Sequence, residues 1–173
     1  MPMNSDTRLV SQATDAVRSA TTLDEALTAL VQFLRPRFDL WYAAFCSHPE
    51  GDPTITILSS WSLAESVFEA GTTIASSISQ IIVGVLEQVR AGNPARFVMG
   101  GDPDSLVEHL LADQGVSAVI AVPISSDEEG LILLALGTST EGAFLDAGRN
   151  FYLDLSHGIA ETVLRLVATK SAG

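Results

Sequence analysis

Two apolar runs flank a short acidic connection near the middle of the chain. Val116–Ile124 and Leu131–Leu136 are separated by Ser125-Ser126-Asp127-Glu128-Glu129-Gly130, a pattern typical of two antiparallel strands joined by a turn. In the first run both alternating sets of positions are mostly apolar, so both faces of the hairpin should be buried. The pattern predicts an inner β-hairpin in a sheet that helices cover on both sides.

Apolar residues at helical spacing predict five helices in the rest of the chain. These helices are expected to cover approximately Leu9–Ala20, Thr22–Pro36, Ser77–Arg90, Pro103–Leu111 and Asp146–Ala168. Thr22 and Glu25 have the spacing of a capping box, and Pro36 is expected to end the second helix. Gly100-Gly101 precedes the fourth helix, but Asp102 follows and its carboxylate would repel phosphate, so we interpret this segment as a turn.

Three further segments have the character of strands. Leu40–His48 and Thr54–Trp61 are joined by a connection rich in Pro, Gly and Asp, which favours a reversal. They predict a second hairpin, and Arg96–Met99 predicts a short strand. Ser62–Ser77 mixes small, acidic and isolated apolar residues, and we interpret it as a long loop, a kind of segment that often carries function.

Composition narrows the functional classes. The chain has 173 residues, enough for one domain with one core. Its apolar stretches are much shorter than the ~20 residues of a membrane-spanning helix, and Met1–Ala20 does not resemble a secretory signal, so a cytoplasmic location is expected. The net charge of −12 disfavours direct contact with nucleic acid or anionic membranes. The single cysteine, Cys46, is expected to be a buried hydrophobic residue without disulfide chemistry.

The order of these elements resembles that of GAF domains. The resemblance also rests on Gly115-Val116-Ser117-Ala118-Val119-Ile120-Ala121-Val122-Pro123-Ile124, on Gly130-Leu131-Ile132-Leu133-Leu134-Ala135-Leu136-Gly137 and on Ala143-Phe144. It implies a GAF/PAS-like α+β fold, with a central antiparallel sheet, helices on both faces and long N- and C-terminal helices. Residues 1–21 would form a helix for dimerisation or signalling, and residues 22–173 a single GAF-like domain with a pocket between the sheet and the segment Ser62–Arg90.

Specialised branches of the family fit the residues poorly. The Asn-Lys-Phe-Asp-Glu constellation of cyclic-nucleotide-binding members does not occur. Cys46-Ser47-His48 resembles a bilin attachment sequence but lies at the end of the first predicted strand. Methionine sulfoxide reductases of this fold need a second thiol to resolve a sulfenate, and this chain has one cysteine. The resemblance therefore implies a non-enzymatic sensory domain, and no cofactor is assigned.

Five residues are candidates for ligand contact in that pocket. Trp61, Phe68 and Phe97 could stack on a planar ligand. Arg96 could bind a carboxylate through its fork of N–H donors, and His109 could ligate haem iron or donate to a polar group. The alternatives are core packing for the aromatic residues and solvent-exposed charges for Arg96 and His109.

Another histidine, His157, lies between Asp154 and Glu161 on the last predicted helix. Its segment resembles the phosphoacceptor helix of some histidine kinases, but Gly158 stands where an acidic residue usually follows the histidine. We interpret this group as a solvated charge cluster.

Two functions remain open at this stage. The first is a sensory or regulatory domain that binds a small molecule, forms a homodimer and signals through its terminal helices to an output protein. The second is an adaptor or dimerisation domain with the same fold, whose pocket is filled by its own side chains. An enclosed cavity would favour the first function and a packed interior would favour the second.

Overall fold

The computed structural model describes residues 5–66, 68–75, 80–99 and 106–172, and of residues 106, 107 and 170–172 it describes the backbone. The helices are α1 (Ser5–Arg18), α2 (Leu23–Phe38), α3 (Gln80–Arg90), α4 (Leu106–Asp113) and α5 (Arg149–Ala172). The strands are β1 (Leu40–Pro49), β2 (Thr54–Ser62), β3 (Thr73–Ala75), β4 (Ala95–Val98), β5 (Ala118–Asp127) and β6 (Gly130–Thr138). A 3₁₀ turn, Ala143–Asp146, precedes α5.

The strands form one antiparallel sheet in the order β3-β2-β1-β6-β5-β4. The hairpin predicted from the two apolar runs is β5 and β6, and it lies inside the sheet between β1 and β4. Helices cover both faces, because both faces of these inner strands are apolar. The predicted inner hairpin and the α+β architecture are confirmed.

One face of the sheet is covered by α2 and α5, α1 packs against both of these helices, and together they enclose the larger core. Alternate residues of β5, namely Ala118, Ile120, Val122 and Ile124, point into it. Phe38 lies at its centre, within 5.5 to 6.0 Å (ring centroids) of Phe144, Phe151 and Tyr152.

The opposite face is covered by α3 and α4, and we call it the α3/α4 layer. Its buried residues are Tyr42, Ala44, Cys46, Ile55, Ile57, Phe68, Leu86, Val89, Ala95, Leu111, Val116, Val119, Ala121, Leu131 and Leu133. Val116 belongs to this layer, whereas simple alternation with Ala118 would place it on the other face. Val116 precedes β5, so the period of the strand does not apply to it.

The end of α2 differs from the prediction. Pro36 lies inside the helix, which continues to Phe38. A proline in the last turn removes a single N–H donor, and burial of Phe38 favours the extra turn. Asp39 then closes the helix in the left-handed region at φ 54°, where its N–H donates to the Arg35 carbonyl at 2.8 Å. Thr22 is the N-cap, as predicted, and its Oγ1 accepts from the Glu25 N–H at 3.1 Å.

The segment interpreted as a long loop contains a strand. Thr73–Ala75 forms β3 and pairs with β2 at the edge of the sheet. The predicted helix start at Ser77 and the Gly100-Gly101-Asp102 turn lie outside the described residues. Among the residues that the structure describes, no helix combines the length and apolar character needed to cross a membrane.

The N-terminal helix packs into the larger core. Ala13 and Val17 of α1 are fully buried there, together with the α5 residues Leu155, Ile159 and Val163. The apolar stripes of the two terminal helices therefore face each other within one chain. A role of residues 1–21 in dimerisation, which remains a proposal, would use the outer surface of α1.

Candidate functional site

The α3/α4 layer is the candidate site, and β1 supplies the middle of its floor. Because side chains alternate along a strand, Tyr42, Ala44, Cys46 and His48 all point to this side. They are 8% exposed or less. The two middle residues, Ala44 and Cys46, have small side chains, and they share one buried cluster with residues of α3 and α4.

Phe68 is held in this layer although it lies in the loop between β2 and β3. It is 6% exposed, and its carbonyl accepts a 2.6 Å hydrogen bond from the Tyr42 hydroxyl. Burial raises the pKa of the Tyr42 phenol, so the group remains an O–H donor at all ordinary pH values. The Phe68 N–H donates to Ser66 Oγ at 3.1 Å. These bonds fix a largely exposed loop at one aromatic residue.

Around the buried floor, large apolar side chains are only partly covered. They are Trp41, Ile74, Ile82, Val85, Phe97, Met99 and Leu110. Along α3 the coverage changes with position, because Leu86 and Val89 are buried while residues 81–85 are half-buried. The layer thus combines a buried apolar floor with an apolar rim that reaches solvent.

The end of α3 is pinned to the sheet by a polar network. Arg90 Nη2 lies 2.5 Å from His48 Nδ1, and Arg90 Nη1 lies 3.1 Å from the Glu50 carboxylate. Guanidinium groups only donate, so His48 Nδ1 accepts and its Nε2–H donates to the Asp52 carbonyl at 2.9 Å. The C-terminal end of α3 is therefore anchored, whereas its N-terminal half is less buried.

The Cys46 thiol cannot serve as an accessible nucleophile in this conformation. The side chain is buried, and burial raises the pKa of the thiol to about 12. A thiolate is required for nucleophilic chemistry, so at neutral pH Cys46 acts as part of the apolar floor. Within the described parts of the chain, no group of three or more His, Cys, Asp or Glu side chains is placed to hold a metal ion.

The structure brings together two of the five predicted contact residues. Phe68 and Phe97 both belong to the α3/α4 layer. Trp61 packs on the opposite face, where the Arg35 guanidinium lies 5.7 Å from its ring centroid. Arg96 pairs with Ile120 in the sheet and donates to the Glu141 carbonyl at 2.6 Å.

A β-bulge explains the position of Trp61. Ile55 and Ile57 point into the α3/α4 layer, so strict alternation would place Ser59 and Trp61 there too. The pairing with β1 skips Leu58, since Phe45 pairs with Ser59 and Cys46 with Ile57. The extra residue reverses the alternation, and Ser59 donates instead to the Asp24 carboxylate of α2.

His109 lies on the exposed side of α4, whereas the neighbouring Glu108 and Leu111 are buried. This position matches the exposed alternative for His109 and does not bring its ring to the floor of the layer. Sequence reasoning missed Trp41, Tyr42 and His48 as members of the site. Tyr42 and His48 lie four residues before and two residues after Cys46, so the alternation of side chains along a strand predicts all three on one face.

Comparison with known proteins places this geometry in a fold family. No protein-family model and no curated protein matches the sequence. The GAF domain of a phosphoenolpyruvate-protein phosphotransferase from Coxiella burnetii matches with a TM-score of 0.68 and 15% identity, over 96% of each chain. Free methionine-R-sulfoxide reductase from Neisseria meningitidis, solved in complex with its substrate, matches with a TM-score of 0.67 and 14% identity, over 98% of this chain and 96% of the reductase.

The chromophore-binding domain of a bacteriophytochrome from R. palustris is a third match. It has a TM-score of 0.63 and 11% identity over 94% of this chain, and this chain spans 62% of its length. At such identities the shared property is the fold. The order of the strands, the helices on both faces and these matches together show that the chain has the fold of GAF domains.

Proposed function

We propose that the protein is a sensory or regulatory domain that binds a small, mainly apolar molecule in the α3/α4 layer. The observation that carries this proposal is the partly exposed apolar rim around a buried floor. Ligand sites are typically apolar with a few placed polar groups. Of the five contact residues predicted from the sequence, Phe68 and Phe97 are proposed as aromatic contacts. Trp41 is proposed as a third aromatic contact.

Two polar groups on the described floor of the layer are already engaged, which favours an uncharged ligand. The Tyr42 hydroxyl is bonded to Phe68, and both ring nitrogens of His48 are engaged. A charged ligand would need free partners to offset its desolvation. The proposed ligand class is therefore a neutral aromatic or aliphatic metabolite.

The proposed function is not enzymatic. The matched reductase shares the fold, but in this chain the single cysteine is buried and its thiol pKa is raised to about 12. Reductase chemistry through a sulfenate would require an accessible thiolate and a resolving thiol. Cys46 offers neither.

Signalling would proceed by a population shift in α3. Its C-terminal end is fixed by Arg90, while its N-terminal half is less buried, so a ligand can favour one position of that half over another. We propose that a homodimer carries this change to an output protein through the outer surfaces of α1 and α5. The inner stripes of both helices are occupied within the chain.

An adaptor without a ligand is the second candidate. Phe68, Leu86 and Leu111 fill the space above the floor and are each 6% exposed. A layer filled in this way could serve only to hold the fold. A ligand titration followed by tryptophan emission and unfolding temperature distinguishes the two candidates.

The chain has two tryptophans, and they lie on opposite faces of the sheet. In a Trp61→Phe variant the emission reports on Trp41 at the α3/α4 layer, and in a Trp41→Phe variant it reports on Trp61. Each variant is titrated with a panel of neutral metabolites, and unfolding temperature is measured in parallel. A ligand in hundredfold excess over its Kd should raise the unfolding temperature by about 5–10 °C.

A ligand of the α3/α4 layer should change Trp41 emission and leave Trp61 emission unchanged. A compound that changes only Trp61 emission binds elsewhere and contradicts the proposed site. If no compound changes either the emission or the unfolding temperature, the sensory proposal fails and the adaptor is favoured.

A further inference from the structure

A cleft of about 450 Å³ lies where α5 passes the end of the sheet, and Ile132, which packs against the larger core, lines it. We call it the α5 cleft. It is lined by Ser47, Pro49, Ser125, Asp127, Glu129, Gly130, Leu131, Ile132, Leu164, Val167 and Ala168. Leu164 is 38% exposed, and it is one of three large apolar residues that are exposed in the described part of the chain.

The cleft arises from the residues that β1, β6 and β5 present side by side. One row across the three strands is Phe45, Leu134 and Val122, which are paired in register and fully buried in the larger core. The next row on the same face is Ser47, Ile132 and Ser125, and all three are partly exposed. Two serines in place of large side chains leave a gap beneath the last turns of α5.

The lip of the cleft is acidic. Asp127 and Glu129 line it, Glu128 lies between them, and all three are exposed. The Glu50 N–H donates to the Glu129 carbonyl at 3.0 Å, which brings the β1–β2 turn to the same end of the sheet. The Glu50 carboxylate itself is paired with Arg90 and is not part of the lip. Among the described residues that line the cleft, two carry carboxylates and none carries a cation.

We propose that the α5 cleft is a docking surface for a basic amphipathic helix of a partner protein. The apolar gap takes the anchor residues of such a helix, which recur at i, i+3, i+4 and i+7. The acidic lip faces the Lys or Arg residues on its flank, and this complementarity sets the orientation and speeds association. The inference does not depend on a ligand in the α3/α4 layer.

Charge argues against the other occupants. A second copy of the chain would bring the same acidic lip to this cleft, so two copies of the α5 cleft repel each other at their lips. Phosphate-bearing partners are repelled for the same reason. A helix with a basic flank meets neither obstacle.

The test uses the full chain and a labelled synthetic helix of Leu and Lys with amphipathic spacing. A peptide of the same composition in shuffled order is the control, and binding is followed by fluorescence anisotropy. We expect the amphipathic peptide to bind more tightly than the shuffled one. Raising the ionic strength from about 0.05 to about 0.5 M should weaken binding, because the lip is exposed and screened.

Two pairs of variants localise the binding. Leu164→Gln should weaken binding about tenfold, because a leucine anchor is lost, whereas Leu145→Gln, which alters another exposed leucine, should leave it unchanged. The triple variant Asp127→Asn, Glu128→Gln and Glu129→Gln should weaken binding. The triple variant Glu65→Gln, Glu69→Gln and Glu87→Gln removes equal charge at exposed positions elsewhere and should have little effect.

Three results would overturn the docking proposal. Equal binding of the amphipathic and shuffled peptides would mean general attraction to an acidic protein. If the two triple variants weaken peptide binding equally, the binding would likewise reflect general attraction to an acidic protein. If sedimentation shows that the chain is a dimer, and Leu164→Gln but not Leu145→Gln makes it a monomer, the cleft is occupied by a second copy and not by a partner helix.

Discussion

Two glycines inside helices differ in what surrounds them, and this difference gives a quantitative test of the fold. At Gly158 of α5 an added Cβ would lie 3.1 Å from Thr14 Cγ2, 3.3 Å from Thr14 Cβ and closer still to Thr14 Oγ1. At Gly84 of α3, among the described residues, nothing lies within 4 Å of an added Cβ. Gly158 therefore permits the close crossing of α1 and α5, whereas Gly84 makes no such contact.

The expected magnitudes follow from two opposing terms. Alanine stabilises a helix interior by about 1 kcal/mol relative to glycine, and this term applies at both sites. Overpacking a well-filled contact costs about 1–3 kcal/mol, and this term applies at Gly158. Gly84→Ala should thus stabilise the protein by about 1 kcal/mol, and Gly158→Ala should destabilise it by about 0–2 kcal/mol.

The difference between the two variants is the quantity to measure, because the helix term cancels. Urea unfolding should separate them by about 1–3 kcal/mol, and thermal unfolding by about 2–4 °C per kcal/mol. Thr14→Ala removes Oγ1 and Cγ2, so Gly158→Ala should cost less in that background. Thr14 Oγ1 is buried and has no hydrogen-bond partner among the described residues, so its removal leaves no donor unsatisfied. Equal effects of Gly84→Ala and Gly158→Ala would refute the close crossing.

Three further predictions concern single side chains. Tyr42→Phe should destabilise the protein by about 1–3 kcal/mol, because the buried Phe68 carbonyl loses its donor, and limited proteolysis should then cleave the β2–β3 loop faster; an unchanged cleavage rate would contradict this anchor. Cys46 should react with iodoacetamide at pH 8 only as fast as the protein unfolds, and rapid labelling of the folded protein would contradict its burial. Hydrogen bonds from Thr140 and Ser139 lower the pKa of the Asp39 carboxyl, and bonds from Thr54 lower that of Asp52. The stability that these carboxylates contribute is present above their unfolded pKa of about 3.9 and is lost as the pH falls through the folded pKa values. The urea concentration at the unfolding midpoint should therefore decrease as the pH is lowered from 5 to 3. The decrease should be smaller in Asp39→Asn.

Local patterns were sufficient for the elements whose neighbours repeat at one period. The β5–β6 hairpin, the N-cap Thr22 and the stripe of α5 with Phe151, Leu155 and Ile159 all follow from spacing along the chain. In each case the residues that define the element lie within one or two turns or strands of each other. Burial of both faces of β5 also follows, because both alternating sets of its positions are apolar and neither face is suited to contact with solvent.

Which face a residue occupies depended on contacts between distant segments. The bulge at Leu58 sends Trp61 to the opposite face, and it forms only when β2 pairs with β1. The strand β3 consists of three residues and exists through its pairing with β2. Pro36 stays helical because Phe38 packs against aromatic rings more than a hundred residues away in the sequence. Helical and strand periods are properties of neighbouring residues, whereas register, bulges and clefts arise when separate segments meet, so an amino-acid pattern predicts the former and the packed chain alone reveals the latter.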